Sequence, residues 1–145
     1  MKEYNNGVKK ENEAGNIFRG MFDYVEQTKH NKFYDYLVRK GTSNLLIEVK
    51  WVECRYKTAG IYLRWNQLMK LFHAKDFMLY ILTSKGNFFI SPPQLLEYAH
   101  IHFNKLNPNE KQVLITAQFD GKQFHITSPV RCLNCLGFLS DFIKV

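Results

Sequence analysis

Two neighbouring stretches constrain this chain more than any others: "KFYDYLV" at 32–38 and "NLLIEVKW" at 44–51, joined by "RKGTS". Both are rich in aromatic and branched residues, and the residues between them form turns readily, which predicts a pair of strands. Side chains alternate along a strand. Leu45, Ile47, Val49 and Trp51 therefore share one face, and Leu46, Glu48, Lys50 and Val52 share the other. The first face is wholly apolar and should pack under a helix. The second is apolar at its ends and charged in its middle.

Gly41-Thr42 suits the two-residue type II′ turn of a hairpin. With that turn Lys40 pairs with Ser43, Val38 with Leu45, Leu37 with Leu46 and Asp35 with Glu48. A four-residue loop centred on the same bond keeps this pairing, and an odd loop shifts it by one. Residues directly opposed on one face have Cβ atoms roughly 4.5–5.5 Å apart, and opposed like charges destabilise a hairpin unless something positive lies between them. Lys50 supplies part of that charge; a divalent cation would supply the rest. Mg²⁺ is commonly held by one or two carboxylates, with water and substrate phosphate completing its shell. Such a metal polarises a phosphoryl oxygen and acidifies bound water, while an adjacent ammonium can orient the water or stabilise growing negative charge. Asp35, Glu48 and Lys50 are thus candidate catalytic residues, the two acids also being candidate metal ligands. Glu13 lies one turn before Ile17 on the inward stripe of the first predicted helix and is a further candidate ligand. The competing reading is an ordinary surface Glu–Lys pair. Leu46 and Val52 on the same face, Asp35 within its own apolar strand, and the basic charge of the chain favour the metal site.

That charge is +7, from 20 Lys and Arg against 13 Asp and Glu, and it favours a polyanionic partner, nucleic acid first. The 145 residues suffice for one domain with its own core, and 46% apolar content rules out a disordered chain. No apolar run approaches the roughly 18 residues of a membrane span, and the polar N-terminus lacks the apolar centre of a secretory signal. The expectation is a soluble, cytoplasmic protein with no membrane partner. Three cysteines make a disulfide scaffold unexpected. Cys132 and Cys135 form a single C-x-x-C among apolar residues at helical spacing, which reads as core more readily than as a metal or redox site.

Along the chain, residues 1–10 read as a flexible tail and 11–145 as one domain. A helix is expected from about Glu11 to Thr28 through Ile17, Met21 and Val25, with Glu11 competing with Glu13 for its inward position. After the two strands comes the polar stretch "ECRYKTAG", then a helix over "YLRWNQLMKLFHA" (62–74). A hairpin with its turn at 84–87, a helix over "PPQLLEYAHIHFNKL", a hairpin turning at Asp120-Gly121 and a short helix over about 131–143 complete the prediction.

The order and spacing of these residues resemble the PD-(D/E)xK, restriction-endonuclease-like nuclease superfamily. Asp35 matches its first acid, Glu48 and Lys50 its acid-x-lysine, Glu13 the glutamate of its preceding helix, and Gln67 the glutamine of its following helix; Tyr34 stands where the name-giving proline would be. The resemblance covers about residues 11–91 and is nearest in look to archaeal Holliday-junction resolvases, with small homing and viral nucleases as close competitors. It implies an α/β fold with a central mixed β-sheet flanked by helices, here with an added C-terminal hairpin and helix. It also implies Mg²⁺-dependent cleavage of DNA, with Mn²⁺ as the alternative metal, and a homodimer.

Arg55, Tyr56 and Lys57 form a basic loop with one aromatic, able to follow a phosphate backbone while the ring stacks on a base. Arg64 and Lys70 flank Gln67 at helical spacing as candidate phosphate contacts. Solvated surface is the competing reading for all of these basic residues. His100 and His102, two apart on a predicted helix, do not share a face and so do not suggest a metal pair. Two rival functions remain: a catalytically inactive nuclease fold that binds nucleic acid, and an interaction module using the aromatic C-terminal half.

Overall fold

The computed structural model describes residues 2–28, 33–74, 76–103, 110–129 and 135–143. Helix α1 spans Lys2–Arg19 and is followed by β1 (Tyr24–Gln27), β2 (Tyr36–Lys40) and β3 (Ser43–Trp51). A small hairpin, β4 (Cys54–Arg55) and β5 (Thr58–Arg64), leads into α2 (Trp65–Ala74). Next come β6 (Phe77–Thr83), β7 (Gly86–Ile90) and α3 (Pro92–Tyr98). The chain continues through β8 (His100–Phe103), β9 (Lys111–Phe119), β10 (Phe124–Thr127), β11 (Cys135–Phe138) and a 3₁₀ turn at Leu139–Asp141.

The strands make two sheets. One has the order β1-β2-β3-β6-β7 and is mixed, because β3 and β6 run parallel while the other pairs are antiparallel. A parallel pair needs a long crossover, and here β4, β5 and α2 provide it. The other sheet is antiparallel with the order β11-β8-β9-β5-β4, and β10 also pairs with β9. The molecule is therefore α/β, with a mixed sheet as expected and a second sheet that was not.

The β2–β3 hairpin has the expected register: Lys40 opposes Ser43, Val38 opposes Leu45 and Leu37 opposes Leu46. Gly41 has φ +61°, which the first residue of a type II′ turn requires and a side chain would resist. The two faces of β3 then separate as their alternation predicts. Leu45, Ile47 and Val49 pack with Tyr36, Val38, Tyr80 and Leu82 against Ala14 and Phe18 of α1. Leu46 and Val52 on the opposite face pack against the larger core, where Phe77, Leu79 and Ile81 of β6 meet Leu68 and Leu71 of α2 and Ile61, Leu63, Val113 and Ile115 of the second sheet. Each such fully buried aliphatic or aromatic side chain contributes about 1.5–3 kcal/mol of transfer free energy. Trp51 departs from the pattern: it is 44% exposed, with the Lys10 ammonium 4.8 Å from its ring centre.

Several expectations are corrected. Residues 2–10, read as a tail, are the first turns of α1. That helix ends at Arg19, and Val25 sits on β1 opposite Val38. Its inward stripe is Ala14, Gly15 and Phe18, while Ile17 and Met21 are 39% and 45% exposed. Residues 58–64 are a strand rather than loop and first helical turn; Ala59, Ile61 and Leu63 alternate inward and pair across to β9. The helix begun by Pro92 stops at Tyr98, so His100 and His102 lie on β8 and do share a face, edge-on to Phe138 and Tyr62 respectively. In place of the last helix, residues 135–138 are strand and 139–141 a 3₁₀ turn. Cys135 is disulfide-bonded rather than a core thiol. Lys32, residues 104–106 and Cys132 lie outside the described residues. Among the described residues no helix is long and apolar enough to cross a membrane.

Docking of α1 depends on close approach. Tyr36 Oη donates to Glu11 O at 2.8 Å, and a Cβ added to Gly15 would stand 2.4 Å from Tyr36 Oη. The Tyr36 ring is fully buried and edge-on to Phe18 at 5.3 Å, so it cannot step aside. Gly15→Ala is expected to lower unfolding free energy by about 1–3 kcal/mol in urea titration, and Tyr36→Phe in that background to recover part of the loss. An unchanged midpoint for Gly15→Ala would show that α1 does not depend on this contact.

Candidate active site

The site grows from the point where the β2–β3 ladder stops. Regular pairing ends at Tyr36 opposite Ile47, one residue short of the expected Asp35–Glu48 pair. The Asp35 N–H donates to Ile47 O at 2.9 Å, and its carboxylate Oδ2 accepts the Val49 N–H at 2.7 Å. A side-chain oxygen thus stands in for a ladder carbonyl, which fixes the carboxylate against β3. Upstream, Asp35 O accepts the Thr28 N–H at 2.9 Å, and Thr28 Oγ1 donates to Tyr34 O at 2.6 Å.

The two acids lie close enough for each to shift the other's proton affinity. Burial pushes the Glu48 carboxyl up to about 8, and the Asp35 charge adds to the rise. A hydrogen bond from Gln67 and the charge of Lys50 oppose it. Asp35 is also raised by burial, against the Val49 N–H, its bond with Glu48, the Lys50 charge and a hydrogen bond with Glu11. Burial therefore favours the neutral form of both acids, and the Asp35 charge adds to the rise at Glu48.

Lys50, two residues along the same face of β3, is lowered from its ordinary value, first by burial and then by the charge of Arg64; both acids pull the other way. Its Nζ donates to Tyr62 O at 3.2 Å. Gln67 sits on the first turn of α2, its Nε2 donating to Phe33 O at 3.2 Å, and lies close enough to Glu48 to oppose the rise of that acid. Glu48, Arg64 and Gln67 line one recess with Leu63, Leu68, Leu71 and Leu79.

Asp35, Glu48, Lys50 and Gln67 are therefore brought together, and Arg64 lies beside them. Glu13 is not with them: it is exposed on α1 and paired with Lys10 at 3.5 Å. Its competitor Glu11 reaches Asp35 instead. The readable signal is the stripe of Glu11, Ala14, Gly15 and Phe18, whose small residues let the helix approach the sheet. The Tyr62 carbonyl that holds Lys50 had no signal, because it is a backbone group on a strand that was not foreseen. Of the remaining basic candidates, Lys70 is exposed on α2, Lys57 is exposed in the β4–β5 turn, and Arg55 is exposed with Glu53 at 3.8 Å.

The donor set suits a hard cation. Two part-buried carboxylates face each other with their repulsion only partly relieved by Lys50 and the Val49 N–H, so a divalent ion between them would favour their charged forms. Among the described residues no group of three or more His, Cys, Asp or Glu is gathered to hold a metal by itself. Asp35 and Glu48 would be the ligands, with water and phosphate oxygen for the rest. The chain matches no family model, no curated protein and no solved structure.

A raised acid sets a pH dependence. Glu48 is protonated in the folded protein and ionised in the unfolded chain between about pH 4.5 and 8, so unfolding releases a proton there and stability falls as pH rises. Urea titration without divalent ions should show unfolding free energy declining by roughly 2–4 kcal/mol from pH 5 to pH 8. Glu48→Gln should flatten most of that slope, and Mg²⁺ should protect the wild type more at pH 8 than at pH 5. A wild-type slope that Glu48→Gln leaves untouched would assign the proton to another group.

Proposed function

We propose that the protein is a metal-dependent endodeoxyribonuclease of the restriction-endonuclease-like class, hydrolysing DNA phosphodiester bonds. One observation carries the reading: Asp35, fixed against β3 by accepting the Val49 N–H at 2.7 Å, lies close enough to the part-buried Glu48 for each acid to shift the other, with the Lys50 ammonium close enough to alter both. The order of elements supports it, since α1, the β2–β3 hairpin, the α2 crossover and the parallel β6 frame the acids as that class would require. The charge of +7 supports a polyanionic substrate.

In this mechanism Mg²⁺, or Mn²⁺ in its place, bound by Asp35 and Glu48 supplies Lewis-acid activation of the phosphoryl group and of water. Lys50 orients the attacking water and stabilises negative charge on the phosphate. Its lowered proton affinity also lets it exchange a proton with water more readily than a surface lysine would. Gln67 holds the Glu48 carboxyl in place from α2, and Glu11 does the same for Asp35 from α1. Arg64 beside Lys50 adds a second positive charge for the scissile phosphate.

Cleavage of linear and branched DNA, with Mg²⁺ and with EDTA, tests the assignment. Asp35→Asn and Lys50→Ala should each lower the cleavage rate by about 10²–10⁴-fold. Glu11→Gln should lower it measurably, and Glu13→Gln should leave it unchanged. Metal-independent cutting, or full activity in both Asp35→Asn and Lys50→Ala, would remove the mechanism. Salt-sensitive DNA binding without turnover in any metal would instead support a nuclease fold that binds without cutting.

A further inference from the structure

The β4–β5 turn presents a side chain that neither core explains. Tyr56 is 93% exposed, against 58% for Leu136 and 52% for Phe142, the next large apolar side chains among the described residues. It is also the one non-glycine residue among them with a positive φ, +57°. That backbone region disfavours bulky L-residues, and glycine or asparagine would occupy it at lower cost. Strain of this kind persists where the surroundings impose it and is concentrated at functional sites.

The surroundings do impose it. Lys85, in the β6–β7 turn, donates its Nζ to Tyr56 O, and Lys57 O accepts the Phe119 N–H at 2.7 Å. The turn is thereby tied to two other elements, and its ring projects from a fixed base. Arg55, Lys57 and Lys85 are all exposed around it; Lys85 also lies 5.8 Å from the Phe119 ring centre. Glu53, 3.8 Å from Arg55, and Asp120, which follows Phe119, are acids at this end. A single exposed ring on a turn that carries Arg55 and Lys57, with Lys85 on its backbone, does not suit an apolar protein partner, whose contact would need neighbouring hydrophobic surface. It suits a nucleobase, because a base stacks on an aromatic face while cations meet its flanking phosphates. Bases within a duplex are already stacked, so the ring can take only an unpaired one.

We infer that the Tyr56 turn is a stacking platform for an unpaired base, and that the substrate class is DNA carrying an unpaired or single-stranded segment beside the cut. The cut itself rests on the nuclease reading above; the base contact does not. Strand β5 links the two places directly. It runs from the turn to Tyr62, whose carbonyl holds Lys50, and at about 3.3 Å per residue that path is roughly 15–20 Å. A nucleic-acid strand covers it in about five nucleotide steps at about 3.4 Å each.

Binding measured in EDTA separates this inference from catalysis. Two fluorescent probes are compared by anisotropy: an intact duplex, and the same duplex with a short unpaired stretch containing 2-aminopurine. The wild type should prefer the second probe and quench the 2-aminopurine. Tyr56→Ala and Tyr56→Gly should weaken binding to the second probe by about ten- to hundredfold, abolish the quenching and leave duplex binding unchanged. Tyr56→Phe should behave as the wild type. Tyr56→Gly suits the positive φ, and a urea titration confirms that it is folded. No preference by the wild type, no loss in the two variants, or equal loss on both probes overturns the inference. Failure of Asp35 and Lys50 variants to affect cleavage removes the nuclease reading and leaves this binding result standing.

Discussion

Two carboxylates pressed together where water is scarce are the constraint around which this structure is organised. Their meeting depends on register, and register depends on the Gly41 turn. Side chains alternate faces along a strand, so a slip of one residue would carry Glu48 and Lys50 to the α1 side and place Ile47 and Val49 in the recess. The positive φ of Gly41 holds the two-residue turn that prevents this slip. Asp35 then leaves the ladder and uses its own carboxylate to accept the Val49 N–H. That bond makes the acid part of the sheet, and its position beside Glu48 follows from backbone geometry rather than from a loose rotamer.

Burial is the first cause of each shift at the site, raising both acids and lowering Lys50. In every case it favours the neutral form. The mutual attractions of Lys50 with Glu48 and Asp35 oppose it and are outweighed. A site in this condition has its strongest reason to bind charge from outside, because a cation between the acids or a phosphate beside the ammonium restores ionisation that the folded chain alone cannot support. The same burial that costs stability at high pH would therefore favour the uptake of a cation or a phosphate. An exposed Glu–Lys pair on a solvated strand would have neither property.

How much of this the sequence disclosed follows from the range of each interaction. The β2–β3 hairpin was legible because a Gly-x turn and a period of two are local signals, and the convergence of Asp35, Glu48 and Lys50 follows from them. Gln67 was legible by resemblance. The first helix was misphased because Ile17 and Met21 are the more hydrophobic residues, yet the sheet accepts the smaller face of Ala14 and Gly15, where Tyr36 leaves no room for a side chain. That choice decided between Glu11 and Glu13. Residues 100–103 fit a helix and a strand equally well in isolation. Pairing with β9, the next strand along the chain, on one side and with the distant β11 on the other decides the matter.

The second sheet is also more than an addition to the sheet that carries the acids. Leu63 and Ile61 point from β5 into the core shared with β6, and Tyr62 between them turns its ring to His102 of β8 and its carbonyl to Lys50. Residues of β8 and β9 therefore support the strand that holds the ammonium, and their apolar side chains complete the packing behind it. Without that layer the acid-bearing face of β3 would lie open to water, where opposed carboxylates are weakly perturbed and bind hard cations poorly. The second sheet accordingly contributes to the site through burial and through one backbone oxygen, that of Tyr62 on β5, although none of the candidate catalytic side chains comes from it.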